Sequence, residues 1–197
     1  MSAKPDRAEI NIGVVTHGAT AATSSQLNAQ DTSQVMTSLK RVVGSGGELK
    51  TANYSVSPEY EYPEKGKPKL NGYRTNNTVV VTLNDLSLLG SVIDNSVSSG
   101  ANEITGISFT LRDDAAVRSQ ALAEAAEKAR ANAEAIARAL GLRVVSVLSG
   151  ESTASGGIHP IPVAFSKSEA TLGRMATPVE TGNLDVHAAV TVTLEVQ

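Results

Sequence analysis

Residues 113–141 read DDAAVRSQALAEAAEKARANAEAIARALG, an unbroken run of strong helix formers in a chain that otherwise alternates in strand-like steps. A run of this length predicts one helix about 40 Å long at 1.5 Å rise per residue. Asp113 or Asp114 offers an acceptor to the free amides of the first turn, and Gly141 can take the left-handed conformation that closes the last. Leu122, Ala126, Ala129, Ala133, Ile136 and Leu140 recur at steps of three and four, so one narrow apolar stripe is expected to face inward. Asp114 with Arg118, Glu124 with Lys128, and Glu134 with Arg138 form acid-first i,i+4 pairs on the wet side. A stripe made mostly of alanine demands a close neighbour, which a sheet provides. The heptad is not sustained and the polar face mixes both charges, which speaks against a coiled coil or a membrane-surface helix.

The rest of the chain falls into short periodic pieces. Residues 8–16 alternate with Ile10, Ile12 and Val14 on one face, a half-buried strand. Residues 23–43 follow as a helix with Leu27, Val35, Leu39 and Val42 inward, stopped by Gly44-Ser45-Gly46-Gly47. Phosphate cradles precede a helix N-terminus, whereas this glycine cluster follows a C-terminus, so it reads as a cap and turn. Residues 53–62 (NYSVSPEYEY) place Tyr54, Val56, Pro58, Tyr60 and Tyr62 in one phase, and the chain returns with Tyr73, Thr75, Val79, Val81 and Leu83 in register. This is a long hairpin, spanning residues 53–75 where it protrudes. A single strand over 49–62 would reach about 45 Å, against ~17–20 Å for a typical one, so its tip should overhang the core. Pro58 cannot donate to a ladder and belongs on an edge or at a bend.

Residues 85–99 predict a second helix with Leu89, Val92, Ile93 and Val97 inward and Gly100 closing it, and 103–111 a strand. After the long helix come a short strand at 143–148, an irregular loop at 149–183 rich in Gly, Pro, Ser and Thr, and one alternating strand over 184–196. The order strand, helix, strand, strand, helix, strand is that of a split βαβ unit. The expected fold is therefore α+β: a split βαβ-type (βαββαβ) antiparallel sheet with helices on one face, extended by the long third helix and two further strands, plus a protruding β-hairpin. Residues 1–197 are expected to form a single domain.

Composition closes off several functions. A net charge of −3 and a pI near 5.6 argue against nucleic acid as a partner, because phosphate binding needs a basic face. No apolar run reaches the ~18 residues of a membrane span, and MSAKPDRAE has no apolar stretch of a signal peptide. The absence of cysteine rules out disulfides and thiol chemistry and fits either side of a membrane.

Nothing in the residues marks a catalytic, cofactor or metal site. His17, His159 and His187 each lack a second ligand at metal spacing and read as surface histidines. Ser166-Lys167-Ser168 lacks the S-x-x-K spacing of a serine and lysine pair. Asp85, Asp94, Asp113 and Asp114 are explained as helix caps and solvated turns.

The segments PDRAEINIGV, the YSVSPEYEY hairpin closed by NGY, DLSLLGSVIDNSVSSGANEITGISF, the helix AEKARANAEAIARALG and the final alternating strand resemble, in that order, the SIMPL-domain family of bacterial envelope proteins. The resemblance implies an exported protein, periplasmic or outer-membrane-associated, loosely linked to oxidative-stress defence, with at least one ring-forming member and no established active site. The family usually carries a signal peptide and a strand of the type I-x-V-x-G-x-G before the PD motif, whereas this chain starts at MSAKPD. The leading expectation is a non-enzymatic, self-assembling homo-oligomer in which Tyr54, Tyr60, Tyr62 and Tyr73 contact a neighbouring subunit. Two alternatives are a small-ligand module with the 149–183 loop as a lid, and an adaptor for another protein, which the family's name suggests.

Overall fold

The structure, a computed structural model, describes residues 1–64, 66–153 and 181–197. In chain order its elements are β1 (Ser2–Ala3), β2 (Arg7–Gly18), α1 (Ala21–Val43), β3 (Gly47–Glu61), β4 (Lys69–Leu83), a 3-10 turn (Leu86–Leu88), α2 (Leu89–Ser98), β5 (Glu103–Thr110), α3 (Ala115–Ala139), β6 (Val144–Thr153), β7 (Leu184–Asp185) and β8 (Ala189–Val196). The fold is α+β with antiparallel sheets, as the element order predicts. The described residues divide into two compact units: 6–109 with 181, and 1–5, 110–153 with 182–197.

In the first unit the strand order is β3-β4-β2-β5, with β4 antiparallel to both of its neighbours. Alternation builds the core directly. Ala8, Ile10 and Ile12 stand opposite Leu83, Val81 and Val79, and all six are fully buried. Val35, Leu39 and Val43 of α1 cover that face, joined by Leu89, Val92 and Ile93 of α2. Burying a side chain such as Leu39 stabilises by about 1.5–3 kcal/mol.

The inward row of α1 differs from the expected one. Leu27 is exposed and Val43, not Val42, is the more buried of its pair, while Ser24, Asn28 and Thr32 point inward. The cause is the polar end of the sheet beneath the first turns. Ser24 Oγ donates to the Thr16 carbonyl at 3.0 Å and lies 2.7 Å from Thr75 Oγ1; Asn28 Nδ2 donates to the Val14 carbonyl at 2.7 Å. Buried polar atoms must be paired, and this end of the core pairs them with a polar helix row. In α2 the expected Val97 is exposed and Ser96 takes its place, with its hydroxyl on the Ile93 carbonyl and its own carbonyl accepting from Ala101 N. Gly100, at φ +114°, ends the helix there, as read.

The second unit is a two-stranded ribbon with one helix. β6 and β8 pair antiparallel from Val144↔Val196 to Thr153↔Ala189, with bulges between Val144 and Ser146 and between Val147 and Ser149. Residues 149–153, expected as the start of a loop, continue β6; the remainder of the expected loop, with His159 and Ser166 to Ser168, lies outside the described residues apart from 181–183. The expected single strand over 184–196 is broken in two. Leu184 pairs with Ala3 of β1 and is buried with Val186, whose backbone exchanges hydrogen bonds with Met1, so residues 184–186 serve a different partner from β8.

Both ends of α3 follow the sequence: Asp113 Oδ1 accepts from Ala115 N at 2.9 Å, and Gly141 adopts φ +73° while Leu142 N reaches back to the Ala137 carbonyl. Its inward row does so only in part. Leu122, Ala126, Ala129 and Ala133 of the expected stripe are half-buried and Ala121 and Ala137 beside them are the buried residues, whereas Ile136 and Leu140 are 62% and 69% exposed. A two-stranded ribbon is too narrow to cover the wider stripe, so the helix seats its smallest residues. Among the expected ion pairs, Asp114 with Arg118 forms, but Glu134 takes Arg130 at 2.9 Å, and Arg138 turns to the Glu134 carbonyl.

Candidate functional site: the tyrosine hairpin

The hairpin of β3 and β4 is longer than the sheet that supports it. β2 accompanies β4 only as far as Gly18↔Tyr73; beyond that rung β3 and β4 have only each other, through Glu59↔Gly72, Tyr60↔Leu70 and Glu61↔Lys69. Two glycines make the junction possible. A Cβ on Gly72, which sits at φ +156°, would stand 2.8 Å from the Gly18 carbonyl oxygen, and one on Gly18 would stand 2.6 Å from Ser24 N.

Two bulges set where the side chains point. The one between Thr51 and Asn53 shifts the phase of β3, placing Tyr54 opposite Asn77, Val56 opposite Thr75 and Pro58 opposite Tyr73. The second, between Glu59 and Tyr60, lies on β4, where Asn71 is the extra residue, so Tyr54, Val56, Pro58 and Tyr60 keep one phase along β3. Tyr54, Tyr60 and Tyr62 are 53%, 48% and 75% exposed, and Leu70 beside Tyr60 is exposed as well. Tyr73 is half-buried at the base of the arm, next to Gly18. β3 is the terminal strand of its sheet, so the backbone edge along these residues has no partner strand among the described residues.

The opposite phase of the arm is polar. His17 Nδ1 and Glu59 Oε2 lie 2.8 Å apart, and Arg74 stands directly across from both His17 and Ser57. No local pattern points to a partner for His17, because Glu59 lies 42 residues away and meets it only through the register of two strands with a third. His187 is exposed. Among the described residues no three His, Asp or Glu side chains gather closely enough to hold a metal ion, and no helix is long and apolar enough to cross a membrane. Asp85 caps the turn before α2: Ser87 donates to Asp85 Oδ1 through its hydroxyl at 2.6 Å and its backbone amide at 3.0 Å. These two bonds hold the Asp85 carboxyl below its ordinary value.

The family profile SIMPL, "Protein of unknown function (DUF541)", matches residues 1–194, nearly the whole chain that builds this hairpin and its sheet. The chain belongs to the SIMPL family. Among its curated relatives, the 26 kDa periplasmic immunogenic protein of Brucella melitensis is 26% identical, over 100% of this chain and 81% of its own length. The uncharacterized protein YggE is 31% identical in both Edwardsiella ictaluri and Escherichia coli. The Edwardsiella match takes in 76% of this chain and 62% of the relative, and the Escherichia match 70% and 55%. The SIMPL match spans both the Ala-rich helix and the tyrosine hairpin. It brings no known reaction with it, since the family is of unknown function.

Proposed function

We propose that this SIMPL protein is a non-enzymatic, self-assembling component of the bacterial cell envelope, and that the hairpin is its intersubunit contact. The observation that carries the reading is the exposure of Tyr54, Tyr60 and Tyr62 along the outer strand of a hairpin that outruns its sheet. Tyrosine is enriched where interfaces bury their core, and a bare strand edge with apolar side chains is an association surface in a monomer. Tyr73, half-buried at the base, would fix the arm's root. The envelope placement draws on the relative named as periplasmic, and the link to stress defence on family resemblance alone.

Light scattering on the full chain tests this. The wild type is expected to be an oligomer whose mass falls when Tyr60→Ser and Tyr62→Ser are combined. Both side chains are exposed, so each substitution should alter folding stability by no more than about 0.5 kcal/mol. A wild type that stays monomeric at high concentration ends the self-assembly reading, and an oligomer untouched by the double substitution moves the contact elsewhere.

A further inference from the structure

We propose that Asn71, at the root of the tyrosine arm, is a site of spontaneous deamidation, where the chain supplies its own nucleophile and water is the only co-reactant. The chemistry stands on Asn71 and its neighbours alone. Its effect on association rests on the intersubunit reading of the hairpin.

Deamidation begins when the backbone nitrogen of the following residue attacks the side-chain Cγ. The N–Cγ bond forms, the Cγ–NH2 bond breaks and ammonia leaves, closing a cyclic imide. Water then opens the ring at either carbonyl and leaves aspartate or isoaspartate. A side chain on the attacking residue crowds the approach, and glycine has none. Asn71 is the one asparagine in the chain that glycine follows. The attack also needs the backbone to turn until nitrogen and Cγ meet, which paired strands resist. At Asn71 the pairing lapses on both sides. Toward β3 the register passes from Glu59↔Gly72 to Tyr60↔Leu70, so Asn71 faces no residue and stands out of the ladder as a bulge. Toward β2 the last rung is Gly18↔Tyr73. Asn71 is exposed, so water reaches the imide.

Other asparagines are held in place. Asn76 lies between Val15 and Ser55, and Asn77 between Val14 and Tyr54, with a strand on either side. Asn28 Nδ2 donates to the Val14 carbonyl, Asn95 Nδ2 to the Ser91 carbonyl and Asn102 Nδ2 to the Val15 carbonyl, each at 2.7 Å. At Asn71 the product carries a carboxylate where a neutral amide stood, on an arm that already bears Glu59 and Glu61. Isoaspartate also lengthens the backbone by one methylene between the Glu59↔Gly72 and Tyr60↔Leu70 rungs. There is no slack to absorb it: a Cβ on Gly72 would already stand 2.8 Å from the Gly18 carbonyl oxygen. The age of the molecule thereby acts on the rung that presents Tyr60 and Leu70.

The test ages the full chain in mildly alkaline buffer and follows tryptic digests by mass spectrometry. Trypsin cuts after Lys69 and Arg74, so residues 70–74 leave as one peptide with no other asparagine in it. That peptide should gain the mass of a hydroxyl in place of an amino group, and separate into aspartate and isoaspartate forms, before any other asparagine peptide changes. A free peptide of residues 67–75, aged alongside, gives the rate without a fold, and the folded chain should react within about tenfold of it. Asn71→Gln, whose longer side chain closes the ring far more slowly, should show no change over the same period. An intact Asn71 in the folded chain while the free peptide converts, or another asparagine converting first, overturns the proposal. Light scattering on the same samples reads the effect on the arm: the wild type should lose mass with age and Asn71→Gln should keep it. A converted peptide with unchanged mass overturns the effect on association and leaves the site standing. A fresh wild type that is already monomeric overturns the hairpin contact instead, and the mass spectra still decide the site.

Discussion

Helices α1 and α3 are nearly equal in length, 23 and 25 residues, yet they are used in opposite ways. α1 is rich in Ser, Thr and Val, modest helix formers, and buries seven residues against a four-stranded sheet. α3 is built from alanine and i,i+4 charges, the best local helix formers, and buries two against a two-stranded ribbon. Local propensity and burial are therefore separate sources of helix stability in this chain. Where the sheet is wide, packing carries the helix; where it is narrow, the sequence of the helix must carry itself.

The sharpest way to break this contrast is to truncate one large residue in each helix. Leu39→Ala in α1 should cost about 2–5 kcal/mol, as expected for a fully buried leucine. Ile136→Ala in α3, where the side chain is 62% exposed, should stay within about 0.5 kcal/mol of the wild type. Urea unfolding followed by circular dichroism reads both, and comparable losses would mean that α3 is packed as tightly as α1.

Next in size is the polar end of the α1 core. Asn28→Ala removes the donor to the Val14 carbonyl from a buried site and should cost about 1–3 kcal/mol. Asn77 lies on the same sheet face, and its Oδ1 is buried with no hydrogen-bond partner. Asn77→Val is accordingly expected to be neutral or to stabilise by about 1 kcal/mol. A loss at Asn77 as large as that at Asn28 would show that its carbonyl has a partner after all.

Smaller again is the start of α3, where the N-cap residue Asp114 makes no side-chain capping bond and Asp113 before it accepts from the Ala115 amide. Asp113→Ala should cost about 1 kcal/mol, and the loss should appear as faster amide exchange confined to the first turn of that helix. Protection unchanged at Ala115 to Arg118 would show that packing, not capping, fixes this end.

The smallest effect is the pH dependence of Asp85 in the α1–α2 unit. Its carboxyl is held below the ordinary value by the Ser87 hydroxyl and amide. A lowered folded value means the stabilisation is fully present above the ordinary carboxylate range and is lost as pH falls through the lowered value. Asp85→Asn should therefore narrow its gap from the wild type as the pH drops toward about 3. A melting-temperature difference that is flat across that range would show that the ionised form is not the one being held.

Recognition of the hairpin from sequence rested on alternation, which placed Tyr54, Val56 and Pro58 in one phase with Tyr73 and Thr75, and the register agrees. Alternation alone does not locate a bulge. The slip between Glu59 and Tyr60 and the meeting of His17 with Glu59 depend on which strand lies beside which. The strand at residues 149–153 escaped sequence reading for a similar reason: these residues look like loop, and only pairing with β8 makes them strand.

Residues near one another in the chain settled what the sequence could settle by itself. Asp113 and Gly141 bound one helix, Gly100 ends another, and alternation at Ile10, Ile12 and Val14 makes a strand with a dry face. Capping and periodicity act across three or four residues, so they are written in short stretches of sequence. Tertiary structure alone decided which helical row turns inward, where residues 184–196 break, and that Ile136 and Leu140 stay in water. Burial depends on the width and register of a surface assembled from distant segments, and no single segment carries that information.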